Sequence, residues 1–337
     1  MILHLGNKLQ NKGYTPTCVD TMAQRFGHRS DWKSGADACN TLVRALQSVG
    51  MVLKFRKQIK YLLLDTYSTK NFWLTYVLAS LSKRLNIPYI PILHGGNLPQ
   101  RFQSQPKAVK KIFQAAHALV SPSLYLKHFF EQQGFALHYI PNAIEKEAYP
   151  QLEPRFDTPR LLYLRALHEI YNPSMAIEAL QLLKKDFPSV QLHMVGPNKD
   201  NSLEKCQALV AKNKLEDEVF FYGKLDKEEW LKVAQQCNVF INPTRFDNMP
   251  VSLVEAMCLG LPIVSTNVGG IPFLIESGKE GILVASEEPQ AMAEGIKKYF
   301  AQPQFRSDIV DNARKKAEKF SWDTVKKQWF KILEIDD

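Results

Sequence analysis

Residues 242–270 read NPTRFDNMPVSLVEAMCLGLPIVSTNVGG, and this stretch decides the fold class. It starts as the end of an apolar strand, passes through a polar turn, and enters an apolar helix over residues 251–259 that stops at Gly260. A second apolar strand, residues 263–265, then runs to a glycine pair at 269–270. Strand, helix and strand in this order form the repeating unit of a parallel sheet, so the stretch predicts an α/β protein.

Two carboxylates flank the start of this helix, Asp247 just before it and Glu255 within it. They are eight residues apart, a little more than two helical turns, so both side chains can face one side of the helix. The helix N-terminus adds unpaired backbone N–H groups and a partial positive charge. The arrangement therefore predicts a binding site for an anionic ligand at this end of the sheet.

The segment resembles the donor-site signature of the retaining GT-B glycosyltransferases, specifically of glycosyltransferase family 4. In that family two acidic residues, spaced as E-x7-E, bind the donor nucleotide-sugar. Here Asp247 takes the first place and Glu255 the second, and Pro250, residues 260–262 and the glycine pair also fit the pattern. The alternative is an ordinary αβ unit in which Glu255 is a solvated helix residue. The length of the match favours the donor site.

The composition agrees with a two-domain enzyme. The chain has 337 residues, 45% of them apolar and 23% charged, which is ordinary for a globular protein. Its five cysteines are scattered and lack metal-ligand spacing, which favours a reducing compartment over a disulfide framework or a zinc site. No signal peptide is apparent, and the longest mostly apolar run, residues 72–81, is too short to span a bilayer. These features predict a cytoplasmic protein, with a peripheral position at the inner face of the cell membrane as a further expectation.

The charge is concentrated in the first half of the chain. Residues 1–150 carry 19 Lys and Arg against 7 Asp and Glu, whereas the remaining 187 residues carry 24 against 27. A basic half predicts an anionic partner, and nucleic acid is disfavoured because no nucleic-acid-binding motif accompanies the charge. An anionic membrane surface, or an acceptor carried on a lipid diphosphate, fits better. A solubilising face explains the basic segments 54–60 and 107–113 equally well and stays open.

Short apolar strands alternate with helical patterns along the whole chain, with a break near residues 141–145. The alternation predicts parallel sheets wrapped by helices. Together with the resemblance, it implies the GT-B fold, in which two doubly wound Rossmann-like domains face each other across a cleft. We expect an N-terminal acceptor-binding domain at 1–145, a C-terminal donor-binding domain at 150–320, and a C-terminal helix at 321–337 that packs back on the N-terminal domain.

The expected elements of the two halves follow from these patterns. In the first half, strands are expected near residues 2–5, 61–64, 89–93, 118–120 and 137–140, and helices near 15–26, 37–58, 69–85, 106–115 and 123–133. In the second half, strands are expected near 160–164, 191–195, 219–222, 239–241, 263–265 and 281–284, and helices near 175–186, 201–213, 227–236, 251–259 and 288–301.

Ligands of open parallel sheets bind beyond the carboxyl ends of the strands. His94 stands there, before two glycines, and family members carry a His at this point near the donor sugar and acceptor; a structural His is the alternative. Gly6 and Asn7 follow the first strand and resemble the family's loop near the donor diphosphate, without its usual double glycine. The loop at 121–123 is either the family's S-x-S loop or a helix N-cap, and we favour the cap.

Arg165 ends the first strand of the second half, where family members place a phosphate-binding Arg. An arginine fork matches diphosphate oxygens bidentately; a surface ion pair is the alternative. The family usually has a Lys a few residues further on, but residues 168–173 contain none. Lys199 is the expected substitute, with Lys224 and Arg245 as further candidates.

The resemblance implies transfer of a sugar from a nucleoside-diphosphate donor, with retention of anomeric configuration, to a glycan or lipid-linked glycan in cell-surface polysaccharide synthesis. The residues to which it gives a catalytic role are His94, Asp247 and Arg165. The residues to which it gives a donor-binding role are Glu255, Asn248, Met249, Pro250, Val251, Lys199, Gly223, Gly6 and Asn7. No cofactor and no obligatory metal are expected, because the Asp-x-Asp pair of the other major glycosyltransferase fold is absent.

Two other interpretations stay open. One keeps the GT-B fold but makes the protein an epimerase or a phosphorylase; a phosphorylase would need a lysine that holds pyridoxal phosphate, and no such motif is apparent. The other is a non-catalytic protein that binds sugar nucleotides, which the missing Lys and the Asp at position 247 favour. Donor hydrolysis that depends on Asp247 and Glu255 would distinguish a transferase from the non-catalytic protein.

Overall fold

The computed structural model describes residues 34–335. The strand expected at residues 2–5, the helix expected at 15–26 and the loop residues Gly6 and Asn7 lie outside the described residues. The described chain divides into two compact units: the first contains its residues up to Asn142 and those from Lys326 onward, and the second is Ala143–Val325.

Among the described residues, the first unit is built on a parallel four-stranded sheet with the order β1-β2-β3-β4. Its strands are β1 (Leu62–Thr66), β2 (Tyr89–Leu93), β3 (Val120–Ser121) and β4 (His138–Tyr139). Its helices up to Asn142 are α1 (Ser34–Phe55), α2 (Asn71–Arg84), α3 (Leu98–Ser104), α4 (Pro106–Gln114) and α5 (Leu124–Gln132). All five residues of β2 are buried, as expected for an inner strand of a parallel sheet that is covered on both faces.

The second unit contains a parallel six-stranded sheet. Its strands are β5 (Arg160–Leu164), β6 (Gln191–Val195), β7 (Val219–Gly223), β8 (Val239–Asn242), β9 (Ile263–Thr266) and β10 (Ile282–Val284). Its helices are α6 (Pro173–Leu183), α7 (Ser202–Asn213), α8 (Lys227–Ala234), α9 (Val251–Leu259), α10 (Ile271–Leu274), α11 (Pro289–Ala301) and α12 (Pro303–Ala317). The spatial order is β7-β6-β5-β8-β9-β10, so the chain reverses its direction of winding between β5 and β8. Ligands of doubly wound sheets bind at such a switch point.

The two faces of this sheet pack into separate cores, because successive side chains of a strand point to opposite faces. On β5, Leu161 and Tyr163 join one core, together with α6, α7 and α11. Leu162 joins the other core, with α8 and α9. The alternation confirms the expected sheet with helices on both sides.

The final helix, α13 (Trp322–Leu333), spans the division between the units. Just before it, Ile144 and Ser321 form an isolated parallel bridge, and Ile144 N–H donates to Phe320 O at 2.9 Å. From Lys326 onward the helix groups with the first unit, and its Trp329 is fully buried.

Most expected elements occur, with shifted ends. Strands β2, β5 and β6 and helix α9 have the expected bounds. Helix α5 starts one residue later than expected because Ser123 is its N-cap, and α6 starts earlier because Pro173 occupies its first turn. Helices α3, α10 and α12 were not expected at all.

Candidate functional site

An ion pair stands at the switch point of the second unit. Arg165 follows β5, Asp247 lies in the loop after β8, and the guanidinium Nη2 of Arg165 donates to Asp247 Oδ2. The guanidinium also lies over the ring of Tyr171, 4.2 Å from its centroid. Arg165 Nε is buried and has no hydrogen-bond partner among the described residues. Asp247 thus occupies one N–H group of the guanidinium, while the Nε–H group makes no hydrogen bond with the described residues.

Burial raises the pKa of the Asp247 carboxyl, while Arg165 and the backbone N–H groups of Asn248 and Met249 act in the opposite direction. Only 11% of the Asp247 side chain is exposed. An ionised carboxylate here depends on those donors, because burial without them favours the neutral form. The pair is therefore sensitive to any ligand that competes for the guanidinium.

The loop that carries Asp247 is held closely against the next strand. Asp247 O accepts a hydrogen bond from Gly270 N–H at 2.8 Å. Gly269 has a φ of +55°, and a Cβ built there would meet Asp247 O at 2.2 Å. On the other side, Thr266 Oγ1 donates to Thr244 O at 2.6 Å. The glycine pair of the sequence signature thus permits a close backbone approach that fixes the carboxylate.

The loop after β6 supports the arginine in the same way. Arg165 N–H donates to Val195 O at 3.1 Å. Gly196 has a φ of +154°, and a Cβ there would meet Arg165 O at 1.9 Å. The backbone of Arg165 is therefore packed against that of Gly196, and only a glycine fits at this contact.

Glu255 is held by a residue that the sequence did not point to. The phenol of Tyr149 donates to Glu255 Oε1 at 2.8 Å, and Lys227 Nζ lies 3.9 Å from the Tyr149 ring centroid. Burial raises the pKa of Glu255, and Tyr149, Lys227 and Arg165 oppose that rise. Arg165 therefore acts on both carboxylates of the signature.

Helix α9 begins between the two carboxylates. Pro250 is its N-cap and offers no side-chain cap to the first N–H groups; Met249 and Pro250 are buried, and Val251 is half-buried. Ser252 is buried, and its Oγ has no hydrogen-bond partner among the described residues. Ser252 lies three residues before Glu255 and so on a similar side of the helix.

The sequence profile of the family described as "Glycosyl transferases group 1" matches residues 145–316, half of the chain. The chain belongs to this family. The match covers the whole sheet of the second unit with its ion pair and both carboxylates.

Two glycosyltransferases match this chain over part of their own length. The uncharacterized glycosyltransferase MJ1607 of Methanocaldococcus jannaschii is 29% identical over 141 residues, 42% of this chain and 35% of that protein. The amylovoran biosynthesis glycosyltransferase AmsK of Erwinia amylovora is 28% identical over 218 residues, 60% of this chain and 53% of AmsK. The matched part of this chain thus spans about a third to a half of the length of these relatives.

Solved structures show the fold of the group 1 chain. HepE of Anabaena, solved in complex with UDP and glucose, has a TM-score of 0.74 at 20% identity, with 85% of this chain and 81% of HepE covered. The likeness shows an α/β fold of the GT-B type, as the sequence predicted.

Lys199 and Gly223 were expected at the donor site, and Arg245 as a further candidate for the missing Lys. Lys199 is exposed; its N–H donates to Leu167 O at 3.0 Å, and no contact of its ammonium group is seen with the described residues. Gly223 has a φ of +67° with open space beside its Cα, and its O accepts from Gly196 N–H at 2.8 Å. Arg245 is paired with Glu287 at 2.5 Å. Of the three expected substitutes for the missing Lys, Arg245 therefore already has a carboxylate partner.

His94 belongs to the first unit and has a carboxylate partner there. Its Nε2 lies 2.7 Å from Asp65 Oδ1, and its ring stacks on that of Tyr67 with centroids 5.6 Å apart. A Cβ on Gly95 would meet Ser68 N at 2.4 Å, so the glycine after the histidine allows a close turn. Strand β1 extends to Thr66, past the predicted end at residue 64, and so includes Asp65.

The loop at residues 121–123 is a helix cap, as favoured from the sequence. Ser123 Oγ accepts from Tyr125 N–H at 3.1 Å, and Ser121 Oγ donates to Ser123 O at 2.7 Å. In the described part of the chain, no three His, Cys, Asp or Glu side chains stand close enough to share a metal ion. No helix among the described residues is both long and apolar enough to cross a membrane.

Proposed function

We propose that the protein is a retaining glycosyltransferase of family 4 that takes a sugar from a nucleoside-diphosphate donor. The observation that carries the proposal is the ion pair of Arg165 and Asp247 at the switch point, with Glu255 two helical turns further on. HepE was solved with UDP and glucose, and with UDP-glucose, which supports a nucleotide-sugar as the donor.

Arg165 is the group that we assign to the donor diphosphate. Its buried Nε is unpaired, and an arginine fork can hold two phosphate oxygens while it stays ionised. As the sugar–phosphate bond breaks, negative charge grows on the leaving diphosphate. A well-placed donor at such a charge contributes about 3–4 kcal/mol to the lowering of the barrier.

We assign the ribose and the sugar of the donor to the two carboxylates. Glu255, oriented by Tyr149, is placed to accept hydrogen bonds from the ribose hydroxyls. Asp247 would bind hydroxyls of the donor sugar once the diphosphate takes over its contact with Arg165. Gly223, with open space beside it, would face the nucleobase through its backbone. His94, which pairs with Asp65 in the first unit, stays a proposed catalytic residue.

The acceptor that we propose is a glycan or a lipid-linked glycan in the synthesis of a cell-surface polysaccharide. AmsK is named for amylovoran biosynthesis, and WcaL of Salmonella typhimurium, which is 28% identical over 183 residues, for putative colanic acid biosynthesis. The cytoplasmic location and the absence of an obligatory metal stay predictions.

The test is a thermal-shift panel of UDP-, GDP- and ADP-sugars. A ligand at about 100 times its dissociation constant stabilises the folded protein by about 2.7 kcal/mol. We expect a shift with one nucleotide class that is lost in Arg165→Ala and in Glu255→Ala. Glu294→Ala, which removes an exposed carboxylate of α11 in the same unit, should retain it. No shift with any nucleotide would contradict the proposal.

Two further measurements separate the alternatives. A shift without donor hydrolysis or transfer would favour a non-catalytic protein that binds sugar nucleotides. Where transfer occurs, the anomeric configuration of the product, read from the proton coupling by NMR, tests retention; an inverted product would overturn the family 4 assignment.

A further inference from the structure

The first unit carries a charged groove that the proposed donor site does not use. The groove has a volume of about 730 Å³ and lies between the end of α2 and the length of α4. We call it the basic groove; its lining residues are Lys83, Lys107, Lys110, Lys111, Gln114 and Ala115. All four lysines are exposed.

The lysines of the basic groove form no ion pair with a carboxylate in the described part of the chain. Residues 66–130 contain eight Lys and Arg and no Asp or Glu. Among the described residues, no carboxylate pairs with Lys83, Lys107 or Lys110. Four cations in one groove, none paired with a described carboxylate, produce a positive potential that attracts anions.

Exposed apolar side chains adjoin the basic groove. Trp73 and Val77 of α2 are 44% and 47% exposed, and residues four apart lie on one face of a helix. Trp73 packs edge-to-face on Tyr76, with ring centroids 5.6 Å apart. Lys111 of the groove donates to Tyr76 Oη at 2.7 Å and lies 4.7 Å from the centroid of its ring. The aromatic ridge, defined as Trp73, Tyr76 and Val77, is therefore continuous with the basic groove.

The lysines of the groove and the exposed apolar side chains beside them together indicate the class of partner. Lysines alone suit any polyanion, but large exposed apolar side chains beside them gain free energy only where an apolar medium is in reach. The boundary of a bilayer offers both, because anionic headgroups attract lysines while tryptophan, tyrosine and aliphatic side chains enter the interface. A nucleic acid could stack on Trp73, but it provides no apolar medium for the side chain of Val77.

We propose that the basic groove and the aromatic ridge form a docking surface for a bilayer rich in anionic phospholipids. The lysines hold headgroup phosphates, and Trp73 and Val77 enter the interface beside them. The protein then associates with the surface of the membrane.

Co-sedimentation of the full-length protein with vesicles tests the proposal. We expect binding to vesicles of phosphatidylcholine and phosphatidylglycerol at 7:3 and little binding to phosphatidylcholine alone. Each lysine near an anionic surface changes the affinity about five-fold, so Lys83→Gln/Lys107→Gln/Lys110→Gln should weaken binding about 100-fold. Trp73→Gln should weaken it on the same vesicles without any change of charge.

A matched control removes the same charge elsewhere. Lys205, Lys212 and Lys232 are exposed lysines of the second unit, and the triple change of these to Gln should leave vesicle binding within about two-fold. An equal loss of vesicle binding in the control triple would overturn the proposal. So would full vesicle binding by Trp73→Gln together with equal binding of the protein to heparin or single-stranded DNA, which would indicate a general polyanion surface. The nucleotide-induced thermal shift of each variant is measured alongside, so a failed donor site is recognised separately.

Discussion

Tyr149 shows how a single hydroxyl can set the affinity of a site. It lies between the expected domains 1–145 and 150–320, yet its phenol donates to Glu255. Tyr149→Phe removes a hydrogen bond to a charged, largely buried group, a contact worth about 1.5–3 kcal/mol. We therefore expect donor affinity to fall by about 10- to 100-fold, measured by calorimetric titration. Tyr299→Phe removes a buried hydroxyl that donates to Ile263 O in the core and should not change affinity; equal loss in both variants would refute the role of Tyr149.

We expect Glu255 to lower the stability of the folded protein at neutral pH although donor binding requires it. Because burial raises the pKa of Glu255, ionisation of this carboxyl is less favourable in the folded protein than in the unfolded chain. The stability associated with this group is therefore present at pH below its unfolded pKa, about 4.3, and is lost as the pH rises through the folded pKa. Glu255→Gln should raise the melting temperature at pH 7.5, with the gain shrinking toward pH 4, and should abolish donor binding. A melting temperature that falls at pH 7.5 would contradict this; the exposed Glu294→Gln is the control.

At the scale of elements, the loops after β5 and β6 are joined where Gly196 meets Arg165 O. An alanine at Gly196 combines a backbone conformation that L residues rarely adopt with a backbone clash, so we expect a loss of more than about 2 kcal/mol in unfolding free energy and weaker donor binding. Gly278 also has positive φ, +83°, but open space around it. Gly278→Ala should cost only the conformational term, about 1–2 kcal/mol. Equal losses in urea unfolding would show that the clash is relieved.

Elements were predictable where their pattern is strong. The strands β2, β5 and β6 are apolar runs bounded by polar residues, and their ends follow the sequence. Helix α12 was missed because its mean hydropathy is low and only three of its residues, Ile309, Ala313 and Ala317, are buried. The partners Asp247 and Arg165 were each proposed, whereas Tyr149 was not, because contacts between residues distant in sequence leave no local pattern.

At the scale of the molecule, the two units have separate cores, so a donor nucleotide should stabilise them unequally. Hydrogen exchange should show that a saturating nucleotide protects the slowest amides of Ala143–Val325 by about 2.7 kcal/mol at 100 times the dissociation constant. The amides of β1 and β2 should remain unchanged. Equal protection of both units would show that they unfold as one cooperative unit.

The run of residues 66–130 without any carboxylate also sets how the first unit responds to its solvent. Mild acid neutralises no negative charge there, because there is no carboxylate to take up a proton. Counter-ions weaken its field instead, over a Debye length of about 8 Å in physiological salt. The docking surface thus acts as a fixed cation, whose attachment is governed by ionic strength and by the proportion of anionic lipid.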